Sequence, residues 1–327
     1  MKRPPPLNER QKRRLSTLEP ALRTAAQRGD VESAKKLAVD LQQVLRPTGH
    51  HMRLFQSKTR LFEAALEAGE VSWAIEGFRG IRATVAKSTR LYLEVTALLA
   101  ICHLRNGNVE LAKPFMAEVL ANTDVIKSDY QRGNFKRGLI DRFDEEAVLA
   151  SLRDCGLDEL DPVDIEADAG QLIQSDTEDE MFLKIGESVP EKAVDILLRI
   201  DEFALKQLPK GDLKYLPGPK LRKERREVGK IVFSSLKRNL WRSFCDPDSE
   251  IYKVWFHEGM SLVLNRKYIG VAVVASLSGL GIGIKALAVS VTALVIKFGI
   301  EVFCDMYKPA PLMDVRIHRK KGTTTGS

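Results

Sequence analysis

The sequence has few cysteines, and no two of them lie close together. Four of its 327 residues are cysteine, and none is two to four residues from another, which excludes a zinc ribbon and a dithiol redox motif. Cysteines this far apart fit a reducing compartment. Aromatic residues are only 7% of the chain, whereas Ala, Leu, Glu, Lys and Arg are abundant, and this composition favours helix.

The sequence motifs that carry catalysis or bind cofactors are also missing. There is no P-loop, no Gly-x-Ser-x-Gly elbow and no His-Glu-x-x-His frame. Cys102 and His103 are adjacent, but neighbouring side chains on a helix point in different directions and do not act together as nucleophile and base. We therefore expect no enzymatic activity, no cofactor and no metal site.

Length and charge set broad limits. Hydrophobic residues are 44% and charged residues 29% of the chain, an ordinary globular mixture that excludes global disorder and a polytopic transporter. The length suggests about two domains. The net charge of +7 favours anionic partners without identifying one. Polar residues follow the basic start of the chain, so we expect no secretory signal and a cytoplasmic location.

One segment occurs three times with a glycine and an alanine at fixed spacing. Gly29, Gly69 and Gly107 are 40 and 38 residues apart, and an alanine follows each of them five residues later. Glycine ends a helix in a left-handed conformation, and a small residue in the next helix allows close approach. The pattern predicts a helical hairpin repeated three times. The alanines are Ala34, Ala74 and Ala112.

At these glycines and alanines the sequence resembles the tetratricopeptide repeat family, in which Gly marks the turn between two helices and Ala lies one turn into the second helix. The resemblance covers about residues 15–122, with a spacing longer than the usual 34 residues of that family. It implies a stacked superhelix whose groove binds a peptide or a partner helix, and it implies no chemistry.

The rest of the chain divides by composition. A capping helix is predicted at 124–153, so that the repeat domain spans 15–153. Residues 154–180 carry many carboxylates and few large apolar side chains, which predicts an acidic linker. A helical module over 181–310 and a basic flexible tail over 311–327 follow. We predict an all-α protein with an N-terminal helical-hairpin repeat superhelix and a C-terminal helical module.

A basic helix is predicted at 221–244. Its cations could bind the phosphates of lipid headgroups or of nucleic acid, and a plain solvated face is the alternative. No helix-turn-helix or aromatic platform accompanies the charge, which favours lipid over nucleic acid. The candidate anion-binding residues are Arg222, Lys223, Arg225, Arg226, Lys230, Lys237 and Arg238.

The most apolar part of the chain is a predicted helical hairpin at 269–304. The residues after Lys285 are apolar on every side of a helix, which requires burial in protein or in lipid. In lipid, the hairpin would bring Lys285 to the far headgroup level, and Lys297 would pair with Glu301. Basic flanks would keep both ends cytoplasmic. The small residues that form a ridge for helix contact are Ala275, Gly279 and Gly283.

Lipid and protein therefore remain alternative surroundings for this hairpin. A soluble bundle would have to enclose two helices without a polar face inside a module of about 130 residues, and this difficulty favours the membrane. We predict a non-enzymatic protein whose repeat groove binds a protein or peptide. Its hairpin would associate with the cytoplasmic face of a membrane, as an anchor or as an effector formed by several copies.

Two other functions stay open. The first is a soluble cytoplasmic adaptor with the hairpin buried in a bundle core. The second is a nucleic-acid-associated regulator that acts through the basic helix at 220–242.

Overall fold

The computed structural model describes residues 4–153, 155–156, 158–208, 224–253 and 267–307. Within these ranges the chain forms helices and no strand, so the prediction of an all-α fold is confirmed. The first helices are α1 (Glu9–Arg28), α2 (Val31–Leu45), α3 (His51–Glu67), α4 (Val71–Thr84), α5 (Arg90–Arg105), α6 (Val109–Ala121) and α7 (Asp129–Leu152). The others are α8 (Pro162–Ser175), α9 (Glu178–Ser188), α10 (Glu191–Lys206), α11 (Arg225–Cys245), α12 (Lys267–Gly279), α13 (Lys285–Phe298) and α14 (Ile300–Met306).

Three helical hairpins occupy the positions of the repeated segment. Gly29, Gly69 and Gly107 lie between the two helices of α1–α2, α3–α4 and α5–α6, with φ of 71°, 87° and 72°. Such left-handed backbone suits glycine because it lacks a Cβ atom. The residue after each glycine donates its backbone N–H to the carbonyl five residues earlier, at 2.8 to 2.9 Å. The predicted hairpin turns are therefore present. The alanines one turn into each second helix are all fully buried: Ala34, Ala74 and Ala112.

The hairpins stack side by side through consecutive helices. α3 contacts α1, α2 and α4, and α5 contacts α4, α6 and α7. As a result α5 is buried on every side, from Leu91 to Leu104. α10 then packs on α7 and on α6, so α7 and α10 together cover the end of the stack.

The acidic stretch is a packed helix, and the prediction of a linker at 154–180 is wrong for the residues of α8 and of the start of α9. Asp161 caps α8, and Pro162 occupies its first position, where proline favours a helix start. Ile165 and Ala169 are fully buried in the core that α8 shares with α13. Two buried positions one turn apart suffice for one packed face, while the carboxylates lie on the other faces.

α9, α11, α12 and α13 form a second core with α8. α13 packs against α8, α9 and α12, and α12 packs against α8 and α11. Buried side chains of this core come from every one of these helices, among them Met181 of α9, Val232 of α11 and Ala272 of α12. On α13 the side chains from Leu287 to Val295 are buried apart from the half-buried Val289.

The second arm of the apolar hairpin is broken, which corrects the prediction of one continuous helix up to residue 304. The chain bends at Gly299, where φ is 80°, and α13 and α14 diverge by 93°. No single helix in the described part of the chain is long and apolar enough to cross a membrane. The bent pair α13–α14 passes that test of length and composition when both helices are taken together.

A disulfide joins the last turn of α11 to α14, which the expectation of a reducing compartment did not anticipate. Cys245 and Cys304 are 59 residues apart in sequence, and their Cα atoms lie 5.5 Å from each other. The Trp241 indole donates a hydrogen bond of 3.0 Å to the Cys304 carbonyl beside the bond. Among the described cysteines, Cys102 and Cys155 are free.

Candidate functional site

A row of charged side chains crosses the first helices of the three hairpins. Arg53 of α3 makes a two-pronged ion pair with Glu19 of α1, with its shorter N–O distance at 2.5 Å. Further along, Arg60 pairs with a carboxylate on its own helix at 2.7 Å, and Arg90 of α5 does the same at 2.8 Å. We call this surface the charged row; its members are Glu19, Arg53, Arg60, Glu63, Arg90 and Glu94.

The charged row is half-buried, and its deepest group is the Glu63 carboxyl. The Glu63 side chain is only 6% exposed, and its Oε1 atom has no hydrogen-bond partner among the described residues. Burial raises the pKa of Glu63, and the nearby Arg60 guanidinium opposes that rise. Because this oxygen is also shielded from solvent, a bound partner could reach it only if neighbouring side chains moved.

A second charged cluster ties the hairpins to the C-terminal helices. The Glu67 carboxylate at the end of α3 lies 2.6 Å from Arg242, 3.2 Å from Arg142, 3.6 Å from Arg238 and 3.8 Å from Arg105. Although burial of this carboxylate acts to raise its pKa, the four guanidinium groups outweigh that effect and hold the pKa well below the ordinary value. Glu146 of α7 balances part of the remaining charge through Arg105 and Arg142.

The predicted anion-binding residues of the basic helix are engaged inside the protein. Arg225 pairs with Glu191. Arg226 lies 3.4 Å from Asp179. Lys230 lies 3.0 Å from Glu227, and Lys237 lies 4.8 Å from the centroid of the Tyr307 ring. Arg238 lies near Glu67. Arg222 and Lys223 lie outside the described residues. Each described cation thus has a partner, while the Arg226 and Lys230 side chains stay 43% and 40% exposed.

The residues of the predicted small-residue ridge do not share one helix face. α12 ends at Gly279, where a Cβ would meet nothing within 4 Å, and Ala275 is exposed. Gly283 lies in the turn and pairs with the backbone of Cys155 and Asp158, at 3.2 and 3.1 Å. The ridge prediction is wrong because the helix stops before its third member.

The charged residues of the hairpin also contact other elements than expected. Lys285, at the start of α13, has its ammonium 3.1 Å from Asp168 of α8. The Lys297 ammonium donates to the backbone carbonyl of Asp176 at 3.0 Å. Glu301 is exposed on α14 beyond the bend. The predicted pair of Lys297 with Glu301 is therefore not formed, because the two residues belong to helices that diverge at Gly299.

Cys102 and His103 have surroundings suited to packing. Burial raises the pKa of the Cys102 thiol to about 12, so it stays protonated at neutral pH. The buried His103 ring stacks on Phe115 with 5.5 Å between centroids. Burial and then the Arg79 charge lower the pKa of His103. Across the described residues, no group of three or more His, Cys, Asp or Glu side chains is arranged to hold a metal ion.

The sequence did not identify the Glu67 cluster or the disulfide. The available signal for Glu67 was a glutamate just before a hairpin turn, and its arginine partners lie as far as 175 residues away. The two cysteines of the disulfide are 59 residues apart in sequence, and no known spacing motif marks them as a pair.

Comparison of the chain with protein-family models, with curated proteins and with solved structures found no significant match.

Proposed function

We propose that this chain is a non-enzymatic binding protein whose helical hairpins recognise a protein or peptide along the charged row. The observation that carries the proposal is the row itself, a set of partly buried ion pairs on α1, α3 and α5, which are the first helices of successive hairpins and pack on one another. Buried ion pairs add little to stability compared with well-packed apolar side chains, so stability alone is a weak reason for them. The resemblance to tetratricopeptide repeats supports peptide binding by these hairpins.

The chemistry of the charged row suggests a partner with charges of both signs. The row contains three arginines and three glutamates, and charge complementarity contributes orientation and specificity more than raw affinity. The Arg53 and Glu19 side chains, 40% and 32% exposed, are the members of the row most open to a partner.

A peptide-library selection on the full-length protein tests this proposal. Enriched peptides should carry both charge signs, and Arg53→Glu should reduce their affinity at least about ten-fold, a loss of roughly 1.4 kcal/mol. Arg79→Glu on α4 is the matched control, since Arg79 is exposed and is not part of the row. Circular dichroism shows whether each variant folds. No enrichment, or equal losses in both folded variants, would argue against the proposed surface.

A second candidate is membrane association through α13 and α14. It is supported by the bent apolar pair and by large exposed side chains on α12 and α14, namely Val271, Val302 and Met306. It requires α13 to leave the helices that enclose it, because the buried face from Leu287 to Val295 is not available to lipid in the folded chain. The proposed binding protein with a buried hairpin requires no such rearrangement.

Flotation of the full-length protein with anionic phospholipid vesicles separates these two candidates. A protein that stays at the bottom of the gradient supports the binding protein alone. A protein that floats and resists carbonate washing supports insertion of the hairpin, and the same experiment with Leu294→Asp should then abolish flotation.

A further inference from the structure

An open pocket of about 700 Å³ lies between α8, the end of α9 and the start of α13. The helices that line it differ from those of the charged row, which belongs to α1, α3 and α5. Leu172 of α8 and Val289 of α13 give the pocket an apolar wall, and this volume is within the range of sites for small molecules.

Carboxylates outnumber cations around this pocket. Asp158, Asp168 and Glu187 line it together with Lys184 and Lys285. Both lysines are already engaged, because Lys285 lies 3.1 Å from Asp168 and Lys184 lies 2.6 Å from a carboxylate of the neighbouring α8–α9 turn. The Lys285 pKa is raised, first by its contact with Asp168 and then by more distant acidic groups, which agrees with a negative potential here.

One polar side chain deep in the pocket is unused. Ser290 of α13 is only 2% exposed, yet it lines the pocket, and no hydrogen bond joins its hydroxyl to any residue that the structure describes. Its oxygen does not belong to the fully shielded atoms that lack a partner, so water or a ligand in the pocket can reach it. Glu187, at the rim, likewise forms no ion pair within the described part of the chain.

We propose that this pocket binds an aliphatic organic cation with two or more amino groups. One ammonium group would lie at Glu187 and donate to the Ser290 hydroxyl, a second would lie at Asp158, and the methylene chain would cover Leu172 and Val289. A bare metal ion suits the site less, because the described residues hold no cluster of metal ligands and the apolar wall would stay uncovered.

Calorimetric titration of the full-length protein with spermidine at physiological ionic strength tests the proposal. Saturable binding with one molecule per chain is expected. Glu187→Gln should weaken it about five-fold, as expected for one partly exposed ion pair of roughly 1 kcal/mol. Ser290→Ala should weaken binding two- to ten-fold, the range for one hydrogen bond. Glu76→Gln on α4 is the control, since it removes the same charge from an exposed position outside the pocket.

Three results would overturn the assignment. The first is no saturable binding to the wild-type protein. The second is an equal loss of affinity in Glu76→Gln and Glu187→Gln, which would indicate a diffuse acidic surface. The third is full displacement of spermidine by magnesium at equal ionic strength, which would indicate that the carboxylates attract any cation.

Discussion

Replacing Glu67 by glutamine tests whether one buried carboxylate holds the hairpins to the C-terminal helices. The Glu67 side chain is 7% exposed and faces four guanidinium groups from α5, α7 and α11. Glu67→Gln keeps the size of the side chain and removes its charge. The four arginines would then share the Glu146 carboxylate and the half-buried Glu145.

The expected loss in the free energy of unfolding is about 3 kcal/mol, near the lower end of the range for breaking a buried ion pair, because the amide oxygen still accepts from Arg242. The sign of the pH dependence follows from the lowered pKa of Glu67. A carboxyl with a lowered folded-state pKa stabilises above its unfolded value of about 4.3 and loses that contribution as pH falls. The difference between variant and wild type should therefore be full at neutral pH and should shrink below about pH 4.

Urea denaturation followed by circular dichroism measures this difference. Glu70→Gln is the matched control, because Glu70 is exposed three residues further along, and its change should stay within about 0.5 kcal/mol. Adding Arg242→Met to Glu67→Gln should cost less than the sum of the two single changes, since the arginine no longer faces a carboxylate. A Glu67→Gln variant as stable as wild type would refute the role assigned to this cluster.

Three further predictions concern stability. Thr292→Val should raise the free energy of unfolding by about 1 kcal/mol, because the buried Thr292 hydroxyl has no partner among the described residues. Thr96→Val should lower the free energy of unfolding by a similar amount, since the Thr96 hydroxyl donates to the Tyr92 carbonyl at 2.8 Å. If urea denaturation gave changes of the same sign for both variants, this reasoning would be contradicted. Reduction of Cys245–Cys304 should cost about 4 kcal/mol, from the entropy of a loop of 59 residues, and dithiothreitol should leave the midpoint of a Cys245→Ser variant unchanged. Because the pKa of His103 is lowered, its contribution to stability is full at pH values above the ordinary histidine pKa of about 6.5 and is lost as pH falls through the folded-state pKa. The free energy of unfolding, measured from about pH 7 to pH 5, should therefore decline less in His103→Phe than in the wild type.

The hairpins could be predicted from the sequence because their signals are local. A glycine that needs positive φ and an alanine five residues later both act within one turn, and all three copies fold as expected. The Glu67 cluster could not be predicted, because its arginines come from three other helices. Nothing in the neighbouring sequence distinguishes these arginines from arginines on a solvated helix face. The disulfide is non-local for the same reason.

The helices of the acidic stretch bear directly on what surrounds the apolar hairpin. A helix that is apolar on all sides needs burial, and its sequence does not tell protein from lipid. The choice depends on how much apolar surface the rest of the chain can supply. A linker at 154–180 would withhold α8 and the start of α9 from that supply, and this is why the sequence favours lipid.

In the folded chain these two acidic helices provide much of the cover. α8 and α9 both pack directly on α13, with Ile165 and Ile185 fully buried between them and their neighbours. Each needs only a narrow apolar stripe, because a helix with carboxylates on its other faces is well solvated there. The high charge of 154–180 is thus the outer side of the same helices that bury the most apolar helix of the protein. A membrane role for α13 would have to expose these stripes as well, and that added cost is what the flotation experiment weighs against lipid binding.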